Sequence, residues 1–436
     1  MGYQASLTYL YGLQKYGIKF GLSTVSKLLT ALGNPQQTFP CIHIAGTNGK
    51  GSTAAFLASI FSEAGYKTGL YTSPHLTSFT ERIRINGADI SRKSVIRLTG
   101  IIRECAAQLE SITFFEFVTA MAFTYFAEQK VDCAVIEAGM GGRLDATNVI
   151  IPLVSIITNI SREHQMFLGN TVLQIAHEKA GIIKRNGVLL TAVRQPTVLR
   201  LLARECRRLH AVMLVEGKDF ALQRRKNHSL AYRGMGHDML NLRLGLRGEH
   251  QLHNAALALA AADVLCQNGF TLRGESVRRG LKHVHWPGRL ETVKGKSLIL
   301  FDGAHNPAAI RCLKQALLSS FAYNRLTLVL GIMNDKDIRT MLKEIVSIAD
   351  RVIFCRPRME RAAPTGMLAR TLCSTKIHCV EIPGVGDALL QAMADSGRRD
   401  LICVTGSLFT VGEAKEALRR LPHVAVPRVP AHKMRT

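Results

Sequence analysis

Pro40-Cys-Ile-His-Ile-Ala-Gly-Thr-Asn-Gly-Lys-Gly-Ser-Thr53 is the stretch that organises this 436-residue chain. Cys41 to Ala45 is a short apolar run with β-branched residues, which predicts a buried strand. Gly46, Thr47, Asn48, Gly49, Lys50, Gly51, Ser52 and Thr53 follow as a glycine-rich turn. Ala54–Ala64 then has Phe56, Leu57, Ile60 and Phe61 at helical spacing. Strand, glycine turn and helix start make an anion site, because turn N–H groups and the positive helix end point at one place. Lys50 is placed to reach outer phosphates, and Ser52 or Thr53 to contact phosphate or Mg²⁺. The common order G-x-x-x-x-G-K-[ST] is not met, since Gly46 stands three residues before Gly49 and Lys50 is followed by Gly51.

Outward from this stretch, strand and helix patterns alternate. Strands are expected at Thr68–Ser73, Cys133–Ile136, Val154–Thr158 and Val188–Val193, with helices at Phe114–Glu128, Val172–Ala180 and Leu252–Leu265. A second series runs through Leu298–Phe301, Thr327–Leu330, Val352–Cys355, Ile377–Ile382 and Leu401–Thr405. The fold class is therefore α/β in two domains. Residues 1–285 form a P-loop-type domain on a mostly parallel sheet, and 286–422 a Rossmann-like α/β domain, with the break near His285-Trp286-Pro287-Gly288. Residues 423–436 read as a basic tail.

Apolar residues make up 47% of the chain, which bounds it as globular, and its longest apolar run is broken by Asp263. The ten cysteines include no C-x-x-C pair, the usage of a reducing cytoplasm. The formal charge of +24 is spread out without interleaved aromatics, so it favours capture of anionic small molecules over nucleic acid.

Ligands of open parallel sheets bind where strand-end loops converge. That rule gathers the glycine turn, Ser73-Pro-His, Glu137-Ala-Gly-Met-Gly-Gly and Asn159-Ile-Ser-Arg-Glu-His164 into one crevice. Glu137 ends an apolar strand, where a carboxylate is costly unless paired with a cation. It is the natural Mg²⁺ ligand, with Arg143 as the alternative neighbour. Asp302-Gly-Ala-His-Asn-Pro307 delivers an acid, His305 and an asparagine at a second strand end, and Arg289 lies just past the domain break. A GTPase switch is excluded: no Asp has Gly three residues later, and Asn334-Asp-Lys-Asp337 breaks the guanine-reading order.

Six stretches in order complete the picture: Gly46–Thr53, Tyr71-Thr-Ser-Pro-His-Leu76, Glu137–Asn148, Glu178-Lys-Ala-Gly-Ile182, Pro287-Gly-Arg289 and Phe301–Pro307. Together they resemble the successive motifs of the folylpolyglutamate synthases, the Mur-ligase-like group that includes bifunctional dihydrofolate synthases. The resemblance implies an ATP-dependent amide ligase. A carboxylate of dihydropteroate, or of a reduced folate's glutamate tail, becomes an acyl phosphate, and L-glutamate's amine attacks it. It implies that residues 46–53 with Asn254, Arg289, Asp302 and His305 serve ATP, and that Ser73, Glu137 and His164 hold Mg²⁺. Lys179, carbamylated, would serve a second Mg²⁺. Lys50, His164, Lys179 and Arg289 would carry the chemistry, while Thr113, Phe114, Phe115 and Glu116 with Leu144, Asp145 and Ala146 would hold the pterin. A cytoplasmic monomer without nucleic-acid or membrane partners is expected. Glu163 stands where many relatives have Asp, and Lys19 where at least some bifunctional members carry an acid. A cell-wall Mur ligase and an RNA-binding NTPase are the competing readings.

Overall fold

The computed structural model describes residues 2–17, 21–109, 111–226, 229–235, 238–372 and 377–421. Lys19 and the basic tail 423–436 lie outside the described residues. The first sheet contains β1 (Cys41–Ala45), β2 (Thr68–Tyr71), β3 (Ile83–Ile85), β4 (Ala88–Asp89), β5 (Cys133–Glu137), β6 (Val154–Ile157), β7 (Val188–Thr191) and β8 (Val212–Val215). Its order is β4-β3-β2-β5-β1-β6-β7-β8, parallel from β2 to β8 and antiparallel only at the β2–β3–β4 edge.

All five residues of β1 are buried, as the apolar run requires of a strand covered on both faces. The register sets Ile44 beside Glu137 and Ala45 beside Ile157. The loops after β1, β5 and β6 therefore leave the sheet at one level. Here the chain runs from β1 to both sides of the sheet, which opens a crevice between the outgoing loops.

One face is covered by the helix Lys50–Glu63, which packs on helices His250–Gln267 and Gly274–His283. His250–Gln267 is buried almost all round through its alanines, as a helix without a polar face must be. Gly280 permits closest approach: a Cβ there would stand 2.5 Å from the Ile60 Cα. The other face is covered by helices Arg92–Ala106 and Phe114–Glu128, with Phe117, Phe123 and Phe126 fully buried.

A three-stranded antiparallel sheet, β9 (Ala221–Arg224), β10 (Leu230–Arg233) and β11 (Met239–Leu242), precedes His250–Gln267 and is not foreseen from the sequence. The third sheet contains β12 (Glu291–Lys294), β13 (Leu298–Phe301), β14 (Leu326–Leu330), β15 (Arg351–Phe354), β16 (His378–Glu381) and β17 (Leu401–Thr405). Its order is β12-β13-β17-β14-β15-β16, and only β12 runs antiparallel. The expected α/β class with mostly parallel sheets is thus the observed one. Among the described residues no helix is long and apolar enough to cross a membrane.

Gly280→Ala drives a methyl into the Ile60 backbone and should cost about 1–3 kcal/mol. Gly100→Ala lies within helix Arg92–Ala106 with open space around it and should gain about 0.5–1 kcal/mol. Thermal unfolding of the two variants checks the opposite signs.

Candidate active site

The glycine turn is held open by close neighbours. Gly46 has φ +149° and Gly49 φ +86°. A side chain at Gly46 would collide with Thr158, and one at Gly49 with the Asn254 amide. Gly51, the departure from the common phosphate loop, has a direct cause: a Cβ there would meet the Trp286 ring at 3.1 Å. Asn48 N–H donates to Asn159 Oδ1 at 3.0 Å, and Thr158 Oγ1 donates to Asn48 O at 2.7 Å. The loop after β6 thus locks the turn.

Two lysines converge on this turn. Lys50 Nζ donates to Gly46 O at 3.1 Å and Thr47 O at 3.3 Å. Lys179, buried on the helix Val172–Ala180, donates to the same Gly46 O at 2.8 Å. Burial, with the Lys50 charge added, pushes the Lys179 amine down to about 7. Thr53 Oγ1 is buried without a partner among the described residues, and Ser52 Oγ accepts a long bond of 3.5 Å from Gln251.

Ser73 N–H donates to Glu137 Oε2 at 3.2 Å, which joins the ends of β2 and β5. Burial pushes the Glu137 carboxyl up, against the pull of Lys50, the Ser73 N–H and Arg289. Arg143 does not serve Glu137; it pairs with Glu178 at 2.8 Å. His164 sits at φ +49° with Nε2 3.8 Å from Glu163 Oε1, and burial pushes its imidazole down to about 4. Among the described residues no group of three or more His, Cys, Asp or Glu side chains stands ready to hold a metal. Glu137 lines a small cleft of about 40 Å³ with Gly51, Ser73, Trp286 and Arg289, whereas His164 lines a neighbouring cavity of about 740 Å³.

That larger cavity brings together all seven residues expected at the pterin: Thr113, Phe114, Phe115, Glu116, Leu144, Asp145 and Ala146. Thr113 and Glu116 also cap their own helix reciprocally, with Thr113 N–H donating to Glu116 Oε2 at 2.8 Å and Glu116 N–H to Thr113 Oγ1 at 3.2 Å. The Asp145 carboxylate is occupied on both oxygens, by Met140 N–H at 2.8 Å and Thr147 N–H at 3.0 Å, while burial pushes its carboxyl up. Tyr11, Arg82, Met359, Arg361 and Phe409 also line the cavity and were missed. They belong to no motif, and three come from beyond residue 350. His75 borders both cavities, and burial beside Arg82 pushes its imidazole down to about 4.

Across the two sheets, Asn306 Nδ2 donates to Asn48 Oδ1 at 2.9 Å, and His305 Nε2 meets Glu163 Oε1 at 3.1 Å. Burial works to raise Glu163, but the His305 contact holds its carboxyl well below the usual range. Asp302 accepts from Leu290 N–H at 3.0 Å and Ala304 N–H at 2.9 Å, so in this arrangement it shapes the loop beside Arg289.

The Mur ligase middle-domain profile matches residues 44–262, and that of the Mur ligase glutamate ligase domain matches 288–408. A Bacillus subtilis dihydrofolate synthase/folylpolyglutamate synthase is 35% identical over 434 residues, covering 96% of this chain and 99% of that one. Mycobacterium tuberculosis folylpolyglutamate synthase complexed with ADP superposes with a TM-score of 0.89 at 35% identity, covering 97% and 100% of the two chains. Escherichia coli FolC in complex with DHPP and ADP gives 0.88 at 31% identity, over 96% and 98%.

Gly49→Ala combines a left-handed backbone with the Asn254 clash, so adenosine-nucleotide affinity should fall by at least ~10-fold, equivalent to ~1.4 kcal/mol. Gly51→Ala asks only that Trp286 shift slightly and should lose less. Titration calorimetry with ADP orders the two.

Proposed function

We propose, for a chain that belongs to the folylpolyglutamate synthase/dihydrofolate synthase family of Mur ligases and is an ATP-dependent ligase, that its two adjoining cavities divide the reaction between them. ATP phosphates lie over Gly46–Thr53, and the pteroate or folate acceptor fills the larger cavity. The observation that carries this is the junction: Ser73, Pro74, His75 and Leu76 line both spaces. An acceptor carboxylate on one side of that turn faces the γ-phosphate on the other.

The acceptor carboxylate oxygen attacks the γ-phosphorus, ADP leaves, and an acyl phosphate remains. The amine of L-glutamate then adds to the acyl carbon and expels phosphate. Phosphoryl transfer mainly requires positioning and charge neutralisation. Lys50, the turn N–H groups and the start of helix Lys50–Glu63 supply these for the phosphates. Arg289 lines the small cleft with Glu137, where its guanidinium balances charge on the transferring group. Asn254 and Asp302 serve the nucleotide side, Asn254 lying against Gly49 and Asp302 ordering the loop after Arg289.

The residues fit Mg²⁺: among the described residues, Glu137 is a buried carboxylate held by a single hydrogen bond from Ser73, and the Thr53 hydroxyl is buried and unpartnered. Ser73, Glu137 and His164 would hold the ion, which supplies charge neutralisation to the phosphate oxygens. Lys179 fits carbamylation, which needs a neutral amine: the nitrogen adds to carbon dioxide and one proton leaves.

We divide the chain into domains at 1–285 and 286–422 with a tail at 423–436, supported by the separate sheets and the two profile matches. The enzyme is read as a cytoplasmic monomer acting on small molecules, without nucleic acid or membrane. Its buried free thiols at Cys41, Cys133, Cys355 and Cys403 suit a reducing compartment.

An ADP-release assay with dihydropteroate, tetrahydrofolate and a cell-wall precursor should give glutamate-dependent turnover with one or both pterins and none with the precursor. Lys50→Ala and Glu137→Ala should each abolish that turnover while leaving the thermal unfolding transition in place, and near-native activity in either overturns the assignment. With ¹³C-bicarbonate, NMR should show a carbamate resonance that disappears in Lys179→Ala.

A further inference from the structure

Of the four residues shared by the two cavities, only Ser73 and His75 carry polar side-chain atoms. Ser73 is taken by the cation site in the reading above. His75 has no role there, yet its ring is fixed with unusual definiteness. Arg82 Nε–H donates to His75 Nδ1 at 2.8 Å. A guanidinium N–H only donates, so Nδ1 must present its lone pair. The single ring proton therefore resides on Nε2, which meets no hydrogen-bond partner among the described residues. The support behind the ring is itself held: Arg82 is buried with its guanidinium 5.1 Å over the Phe114 ring, and Phe79 packs edge-on against the imidazole at 6.4 Å.

We infer that His75 is a catalytic residue whose Nε2–H donates to the acyl oxygen of the acceptor, first as carboxylate and then during amine attack. The inference rests on the assignment of the two cavities to nucleotide and acceptor. When glutamate's nitrogen lone pair forms the new N–C bond, the carbonyl π pair moves onto the acyl oxygen. The Nε2–H bond strengthens as that negative charge grows. Collapse restores the C=O, breaks the C–O bond to phosphate, and the amine proton passes to the departing phosphate. His75 does not take that proton, because Nε2 already bears one. A preorganised donor aimed at developing charge is worth roughly 10²–10³ in kcat.

Three variants of the full chain separate this role from packing. His75→Asn keeps an acceptor for Arg82 but has no donor at the Nε2 position. His75→Gln keeps a donor there, and His75→Leu keeps neither. Steady-state ADP release should show kcat lowered roughly 100-fold in the Asn and Leu variants, with KM for ATP and acceptor changed less than about threefold. The Gln variant should recover at least about tenfold of the loss. Positional isotope exchange in bridge-labelled ATP, which reports acyl phosphate formation without glutamate, should fall less than overall turnover. Native kcat in His75→Asn, or a loss residing wholly in acceptor KM, would overturn the inference, since either means that only the Arg82 contact or the cavity shape mattered. The parent enzyme controls for the underlying reading. Were it to release no ADP with glutamate and a pterin, the cavity assignment would fail, whereas an active parent matched by its His75 variants would sink this inference alone.

Discussion

Two ammonium groups aimed at one carbonyl oxygen set the terms for the rest of the molecule. Lys50 and Lys179 both reach Gly46 O, at 3.1 and 2.8 Å, in a place where Lys179 is almost wholly buried. Like charges brought together away from water repel strongly. The protein meets that cost partly by pushing the Lys179 amine toward its neutral form and partly by placing the Glu163 carboxylate beside the turn. The remaining imbalance is what an anionic ligand relieves. Positive φ at Gly46 and Gly49, the Thr158 lock and the parallel strands behind them serve to keep that arrangement from relaxing.

The second organising fact is that polar side chains pair across the two sheets. The Asn48–Asn306 amide pair and the Glu163–His305 contact lie within a few residues of the glycine turn and of His164. The glycine turn is therefore supported from both halves of the chain. A substitution at Asn306 or His305, far away in sequence, acts on the same few atoms as one at Asn48 or Glu163.

Much of this was readable from residues alone, and the reason is local. The strands that carry the site end in residues no buried strand would keep without cause: Glu137 after Cys-Ala-Val-Ile, Gly46 after Ile-His-Ile-Ala, Asp302 after Ile-Leu-Phe. Each marks a loop at one edge, and the eight-stranded register brings the first two together as expected. The short strands β9, β10 and β11 escaped because four-residue segments with arginine, glutamine and asparagine among their apolar residues carry little periodicity. Arg82, Arg361 and Phe409 escaped for another reason. Nothing adjacent to them in sequence signals a ligand, and only the tertiary fold carries them to the cavity. Asp302 also has a local task that spacing does not reveal: each of its oxygens accepts a backbone N–H, which orders the loop after Arg289. Sequence spacing can identify an acid at a strand end, but not which hydrogen bonds it has already made.

Trp286 is the sole indole of the chain. It rests against Gly51 and beneath the Arg84 guanidinium, whose carbon lies 5.3 Å from the ring centroid. The protein thus carries one indole fluorophore, and it is positioned at the glycine turn and at the joint between the two sheets. Its ultraviolet emission therefore reports on the surroundings of Gly51, free of background from any other tryptophan and requiring no attached dye.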